Sequence, residues 1–214
     1  MTYEVRVVYD ISMQISGDMT VYKNKDENRP VVETVRSFDE SDAYESRISM
    51  NLHTGTHIDA PLHMLEGGDT VDNLDISRLI TSCKVFDLAD VKGKVTKEDL
   101  AYRDIGEGDF IILKTSNSYS EEFNPEFIYL SHDAARYLAQ KGISGVGIDS
   151  LGIERAQSGH PTHKELLKNG IIILEGLRLK DVPEGEYTLI ALPLNIKGAE
   201  ASPVRAVLLE NPME

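Results

Sequence analysis

Four side chains that bind metals or move protons fall within eleven residues of this chain: His53, His57, Asp59 and His63. Imidazole and carboxylate groups together form the usual ligand set for zinc, manganese or iron. No cysteine lies nearby, and a site without thiolate ligands is typical of catalytic rather than structural zinc. The segment therefore predicts a metal site that carries out chemistry.

The residues around this cluster favour an extended backbone. Between residues 44 and 52, apolar side chains fall mostly at even positions, which is the period of a half-buried strand. Carried forward, this alternation places the four polar side chains on one face, whereas a helix would point Asp59 and His63 away from the other two. Pro61 also favours extension, and Gly55 favours a strand that breaks into a loop. The opposite, core-directed face would carry Leu52, Ile58, Ala60, Leu62 and Met64.

Composition predicts an ordinary globular protein and argues against several partners. The 214 residues suffice for one domain with a sizeable core, and we expect a single domain over residues 1–214. No long uncharged apolar run is present, so no membrane span is predicted. The net charge of −14 argues against nucleic acid or anionic membrane as partners. The single cysteine, Cys83, and an N-terminus unlike a signal peptide indicate a cytoplasmic protein.

The other segments predict an α/β fold rich in strands. A helix between strands at 110 and 146 indicates one right-handed crossover unit. We expect a mixed sheet or barrel-like core with a few outer helices, and the second and third strands should pair as an antiparallel hairpin. Strands are predicted at 3–11, 31–38, 44–52, 81–88, 110–113, 146–149, 171–174, 187–194 and 203–209, and helices at 74–79, 96–102, 131–141 and 163–170.

Several residues allow two interpretations. Asp149 ends a predicted strand, where a carboxylate either lines a site or caps the next turn. Glu175 follows an apolar strand and needs a partner, for which a metal or the nearby Arg178 would serve. The charged segment 22–30 is predicted to be a surface loop, and such loops sometimes lie over active sites. His132 is expected to face solvent.

The run from His53 to His63 resembles the H-x-G-T-H-x-D-x-P-x-H motif of the cyclase family, which includes bacterial kynurenine formamidases (arylformamidases) and isatin-hydrolase-like enzymes. The similarity extends over most of the chain. It includes Tyr9-Asp-Ile-Ser, Val146-Gly-Ile-Asp-Ser, His163 with Leu166-Leu167, Glu175, Ala191-Leu-Pro-Leu and Ser202-Pro-Val-Arg-Ala. The first motif is specific, and the others support it.

The resemblance implies roles for particular residues. His53, His57 and Asp59 would bind one metal, and Asp59 would share a second metal with His163 and Glu175. His63 takes the position of the general acid/base. His160 is the rival of His163, but the twelve-residue step from His163 to Glu175 matches the family. The resemblance also implies a β-rich α/β fold and a homodimer or homotetramer, and zinc is the expected metal with manganese as the alternative.

The implied reaction is hydrolysis of a small amide. A divalent cation lowers the pKa of its water from about 15.7 towards ~7 and polarises the carbonyl. His63 would protonate the departing nitrogen, because an imidazole with a pKa near 6.5 exchanges protons at working pH. The expected substrate is a formamide such as N-formylkynurenine, from tryptophan catabolism. The family's Pro-Gly-Asp turn with aromatic neighbours is replaced by Ile15-Ser-Gly-Asp18, so Tyr22 or a phenylalanine would have to supply an aromatic wall.

Three other functions compete with this one. The same metal site with His63 could instead hydrolyse a cyclic amide such as an isatin-like lactam. A non-haem iron oxygenase would use two histidines and one carboxylate, but it leaves His53 and His63 without a role. A non-catalytic metal-binding protein would be expected to lack the proton-transfer residue, and His63 is present.

Overall fold

The computed structural model describes residues 8–210 and is built around a mixed sheet of nine strands. The strands of the chain are β1 Val8–Asp10, β2 Val31–Arg36, β3 Glu45–Ser49, β4 His57–Asp59, β5 Ile80–Asp87, β6 Lys94–Val95, β7 Phe110–Lys114, β8 Tyr129–Leu130, β9 Gly145–Ile148, β10 Ile172–Glu175, β11 Gly185–Ile190, β12 Ala201–Pro203 and β13 Val207–Leu209. The α-helices are α1 Lys97–Leu100, α2 His132–Lys141 and α3 Pro161–Lys168. Short 3-10 turns lie at Tyr22–Asn24, Asp26–Asn28, Pro61–His63, Val71–Asn73, Ile76–Leu79 and Ser116–Tyr119.

The large sheet has the order β1-β13-β11-β5-β7-β9-β10-β4-β12. Its centre, from β5 through β7 and β9 to β10, is parallel, and the strands on both sides run antiparallel to their neighbours. The predicted β-rich mixed sheet with outer helices is therefore confirmed. β7 and β9 are parallel neighbours with α2 between them in sequence, as the crossover prediction required.

The central strands are buried on both faces. Alternate side chains of β7 enter two different cores: Ile111 and Leu113 pack with residues of α2 and α3, and Phe110 and Ile112 pack on the other side with residues such as Ile58. Such two-sided burial explains why this strand reads as a continuous apolar run rather than an alternating one.

Capping residues place the helices close to where the sequence predicts them. Ser131 is the N-cap of α2 and accepts a hydrogen bond from the amide of Ala134. Gly142 is the C-cap and has a φ of 71°. The Thr96 amide donates to the Asp99 carboxylate at 2.7 Å, so the predicted capping box of α1 is confirmed. Helix α3 begins at Pro161, two residues before the predicted start, because proline suits the first helical position.

The strand alternation predicted from residue 44 onwards holds only in part. β3 and the three residues of β4 are extended, but Gly55 has a φ of 76° and Pro61–His63 form a 3-10 turn. The prediction of a break at Gly55 is confirmed, and the continuous polar face is wrong on both sides of β4. Ile58 and Ala60 are fully buried as predicted, whereas Leu62 is 36% exposed because the turn directs it outward.

Two terminal strand predictions also need correction. The strand predicted at 203–209 is divided into β12 and β13, which lie at different places in the sheet. Of the strand predicted at 3–11, only β1 is observed, and residues 3–7 lie outside the described part of the chain. The predicted hairpin is confirmed, since β2 pairs with β3 in antiparallel register. Among residues 8–210, none of the helices combines the length and apolar character needed to cross a lipid bilayer.

Asp149 caps a turn rather than lining the predicted metal site. Its carboxylate accepts hydrogen bonds from the amides of Thr115 and Ser118 at 2.8 and 3.1 Å, and from both hydroxyl groups at 2.7 and 2.6 Å. Burial raises the pKa of Asp149. The Asp149 carboxylate, directly after β9, thus holds the turn that follows β7 by hydrogen bonds.

We expect Asp149→Ala to lower the free energy of unfolding by about 3 kcal/mol or more, because it leaves two buried amides without acceptors. Urea unfolding with a chelator in every sample measures the effect. The matched control is Asp75→Ala, an exposed residue that also caps a 3-10 turn, where water replaces the lost acceptor and about 1 kcal/mol or less is expected. Equal losses in the two variants would contradict this assignment.

Candidate metal centre

The central strand of the site is β4, which lies between β10 and β12 and is antiparallel to both. His57 and Asp59 point to one face of the sheet, and Ile58 between them enters the core. Glu175 at the end of β10 is the direct cross-strand neighbour of His57, so the two side chains share a face. Each of these three polar residues is at most 4% exposed.

His53 and His63 reach the same place from outside the strand. The positive φ at Gly55 turns the chain between His53 and β4, and the 3-10 turn after Pro61 folds His63 back. The two imidazole rings lie with their centroids 4.1 Å apart. The predicted convergence of the four side chains is therefore seen, but a turn, a strand and a 3-10 turn produce it instead of one extended segment.

The carboxylate of Asp59 separates two groups of donor atoms. Its Oδ1 lies 3.0 Å from His53 Nδ1 and 3.6 Å from His57 Nε2. Donor atoms of these three residues all lie within 4.8 Å of one another, which is compatible with one shared cation. We call this group the first subsite.

The other oxygen of Asp59 faces the second group. Asp59 Oδ2 lies 3.6 Å from His163 Nε2, which is also 3.3 Å from Glu175 Oε1. Glu175 Oε2 lies 3.2 Å from His57 Nε2, so this carboxylate contacts histidines of both groups. We call His163, Glu175 and Asp59 the second subsite.

Unpaired polar atoms indicate that these side chains fit a cation. Both carboxylate oxygens of Asp59 and the Nε2 atom of His57 are buried and accept or donate no hydrogen bond of good geometry, although ring or carboxylate atoms lie 3.0–3.6 Å away. Leaving such groups unpaired in a protein interior is costly. Imidazole and carboxylate donors suit zinc or manganese, so the residues present fit the implied metal.

The charges of the site also favour a bound cation. Burial opposes protonation of His57 and His163, but contact with nearby carboxylates outweighs it and raises the pKa of His57 to about 9 and that of His163 to about 10. Burial also opposes ionisation of Glu175, yet the two imidazoles hold the pKa of its carboxyl well below the usual value. The buried carboxylates thus attract positive charge, which a divalent cation would supply in place of protons.

His63 differs from these residues. Burial lowers the pKa of His63, which favours a neutral ring. Its ring lies 5.5 Å from that of His163, between centroids, and one of its nitrogens lies within 4.8 Å of donor atoms of Asp59 and His163. A neutral imidazole near the carboxylates of Asp59 and Glu175 can accept and return a proton.

Two acidic residues of the site carried no recognisable signal in the sequence. Glu154 is buried and contacts the rings of His160 and His163, and Glu200 lies 3.4 Å from His53 Nε2. The prediction that Arg178 could be the partner of Glu175 is wrong, because the Arg178 guanidinium donates to the Leu177 carbonyl instead. His160 forms the N-cap of α3 and is half-exposed, and His132 is also half-exposed, as predicted.

A cavity of about 280 Å³ opens onto this cluster. His53, His63, His163 and Glu175 line its polar part. Apolar or aromatic walls come from Tyr22, Met64 and Leu151, among others. Tyr22 and Asn28 of the predicted surface loop 22–30 are among the lining residues, so this loop borders the cavity.

Comparison with known proteins identifies relatives over nearly the whole chain. Residues 9–155 match the model of the Cyclase family. A kynurenine formamidase of Salinibacter ruber is 35% identical over 206 residues, which cover 95% of this chain and 97% of that protein. A kynurenine formamidase of Bacillus cereus is 35% identical over 163 residues, covering 76% and 78% of the two chains.

Solved structures share the fold. A protein described as a potential metal-dependent hydrolase with cyclase activity superimposes with a TM-score of 0.92 at 53% identity, covering 98% of this chain and all of that one. Isatin hydrolase A of Labrenzia aggregata has a TM-score of 0.83 at 24% identity, with 95% and 93% of the chains covered. At that lower identity the likeness concerns the fold alone.

Proposed function

The chain belongs to the cyclase family, and on that premise we propose that it is a metal-dependent hydrolase that cleaves a small amide. The substrate we propose is an aryl formamide such as N-formylkynurenine, in keeping with the names of the relatives. The observation that carries the proposal is Asp59, whose two unpaired buried oxygens face two separate groups of metal-binding side chains.

The distances around Asp59 support two groups of metal ligands. His53, His57 and Asp59 would hold one cation, and Asp59, His163 and Glu175 would hold another. Zinc suits this donor set, and manganese accepts the same ligands. When bound, the metal supplies water that ionises near neutral pH and polarises the substrate carbonyl.

The chain's own residues complete the hydrolysis. His63, near the carboxylates of Asp59 and Glu175, would take a proton from the attacking water and return it to the amide nitrogen as the carbon–nitrogen bond breaks. The oxygen of the water ends in formate, and the nitrogen leaves as a neutral amine. Without a proton donor the nitrogen would have to leave as an anion, so a positioned acid matters for this step.

Aromatic side chains beside the cavity support an aryl substrate. The Tyr22 ring lines the cavity and contacts the edges of Phe123 and Phe127, at centroid distances of 5.6 and 6.3 Å. T-shaped contacts of this kind stabilise the Tyr22 ring beside the cavity. Tyr22 follows the replaced turn at residues 15–18, so it would provide the aromatic wall that the sequence left open.

We expect Tyr22→Ala to raise KM about 10-fold for an aryl formamide, because loss of an aromatic contact and its buried area costs about 1.4 kcal/mol. For a small alkyl formamide, KM should change by less than about 2-fold under the same estimate. Tyr102→Ala, at an exposed site, is the control. An equal rise for both substrates would argue against an aryl-binding role.

We also propose that the chain forms a single domain over residues 1–214 and a homodimer or homotetramer. The β2–β3 hairpin supports assembly, because every residue of both strands is exposed and a lone two-stranded hairpin has marginal stability. It presents several large apolar side chains, including Val32, Phe38 and Ile48. Light scattering on the purified protein would give the number of chains.

The direct test is formate release from N-formylkynurenine. Protein stripped with a chelator is expected to be inactive, and zinc or manganese is expected to restore turnover. A protein that binds metal stoichiometrically but releases no formate with zinc, manganese or iron would refute this substrate. Isatin-like cyclic amides would then be assayed, and oxygen uptake by the iron form would test the oxygenase alternative.

A further inference from the structure

Glu154 is a buried carboxylate that faces the start of α3. The residue is 4% exposed. Its Oε1 lies 2.8 Å from His163 Nδ1 and 2.9 Å from His160 Nδ1, and its Oε2 accepts a hydrogen bond from the Thr162 amide at 2.9 Å. These three groups belong to the N-cap and first turn of α3, so one carboxylate orients the His163 ring relative to the helix that carries it.

The contact determines which nitrogen of His163 faces the site. A carboxylate oxygen only accepts hydrogen bonds, so the proton of the 2.8 Å contact resides on Nδ1. The other nitrogen, Nε2, is the atom that lies 3.3 Å from Glu175 and 3.6 Å from Asp59. A cation between them would therefore meet the lone pair of Nε2 rather than an N–H group.

The two histidines of the first subsite, His53 and His57, have other partners. His57 Nδ1 lies 2.9 Å from the carbonyl oxygen of Gly55, which is a neutral partner. A carboxylate on the far side of an imidazole fixes its tautomer and raises its basicity as a ligand. His53 of the first subsite has a different carboxylate, Glu200, 3.4 Å from its Nε2. Because the contacts of Glu154 are to the N-cap and first turn of α3, its effect should be confined to the second subsite.

We propose that Glu154 is a positioning residue that sets the affinity of the second subsite for its cation through His163. The inference rests on the metal-holding part of the proposed function. It assigns to Glu154 no contact with the substrate and no proton transfer.

Zinc titration of the metal-free protein against a chromogenic chelator tests the proposal. Wild type is expected to bind two equivalents. In Glu154→Gln, which keeps the shape but removes the charge, one equivalent should weaken about 10- to 100-fold while the other stays within about 2-fold. Glu165→Gln is the matched control: it removes one charge from the same helix, where Glu165 contacts Lys168 and His132, and both affinities should stay unchanged.

A second readout separates positioning from stability. Nitrogen NMR of the His163 ring in the zinc form should report protonated Nδ1 in wild type and a changed Nδ1 signal in Glu154→Gln. The urea midpoint of unfolding of the metal-free variant should stay at the wild-type value, because the glutamine carbonyl still accepts from the Thr162 amide. These results, together with the loss at one equivalent, would support the assignment.

Other outcomes would overturn it. Wild-type affinity for both equivalents in Glu154→Gln would show that Glu154 does not act on the metal. Equal weakening of both equivalents, with a less stable metal-free protein, would show a purely structural role. The proposed function and this inference can fail separately. If wild type cleaves no amide but Glu154→Gln weakens one zinc equivalent, only the proposed function is refuted. If wild type hydrolyses the amide and Glu154→Gln binds zinc like wild type, only this inference is refuted.

Discussion

Asp59→Asn is expected to abolish metal-dependent amide hydrolysis, with turnover at least about a thousand-fold below wild type. Asp59 lies between both subsites, and an amide nitrogen at one of its oxygen positions would point N–H groups at a cation. Loss of the several kcal/mol of charge stabilisation that a metal supplies corresponds to this decrease. Metal content of the dialysed protein should fall together with formate release from N-formylkynurenine.

The control for this variant is Asp42→Asn in the exposed turn between β2 and β3, which removes the same charge far from β4. It should retain wild-type metal content and turnover. If Asp59→Asn kept two tightly bound metal equivalents, Asp59 would not be the shared ligand. If it kept turnover as well, the site itself would have to be sought elsewhere.

His63→Gln is expected to lower kcat by roughly 10²- to 10⁴-fold while metal content remains at the wild-type value. The reason is that His63 would transfer the proton to the leaving nitrogen, whereas Asp59 and the four residues His53, His57, His163 and Glu175 would hold the metal. Glutamine occupies similar space but exchanges no proton near neutral pH. Steady-state kinetics and metal analysis on the same preparation measure both quantities.

His132→Gln, at a half-exposed histidine of α2, serves as the control and should leave kcat unchanged. Loss of metal in His63→Gln in proportion to the loss of turnover would identify His63 as a ligand instead of a proton carrier. This distinction matters because a nitrogen of His63 lies as close to Asp59 and His163 as a ligand would.

Both predictions concern residues that the sequence alone brings to attention. His53, His57, Asp59 and His63 are recognisable because their chemical types are rare together and their spacing is short, whatever the fold around them. Strand and helix positions with clear local causes are also predictable, such as the serine cap and terminal glycine of α2. The apolar run of β7 likewise indicates burial without showing its neighbours.

Tertiary structure decided how the distant parts of the site meet. Family resemblance assigns His163 and Glu175 to the site, whereas the residues alone allow Glu175 either a metal or Arg178 as its partner. The order of strands places β10 beside β4, and the register sets Glu175 opposite His57. Alternation along a strand shows which side chains share a face, but it does not show which strand lies next to it.

The path of the chain on either side of β4 is only partly predictable from local patterns, because Gly55 indicates a break but not the direction in which the chain turns. The turn at Gly55 and the 3-10 turn before Met64 place His53 and His63 beside β4, where an ideal strand would have carried them about 3.3 Å per residue away from its centre. Glu154 has no periodic or motif signal, and it joins the site only because the loop before α3 folds back onto His163. The sequence by itself determined the chemistry of the donor groups, and long-range packing and strand pairing determined their geometry, because those contacts join residues more than a hundred positions apart.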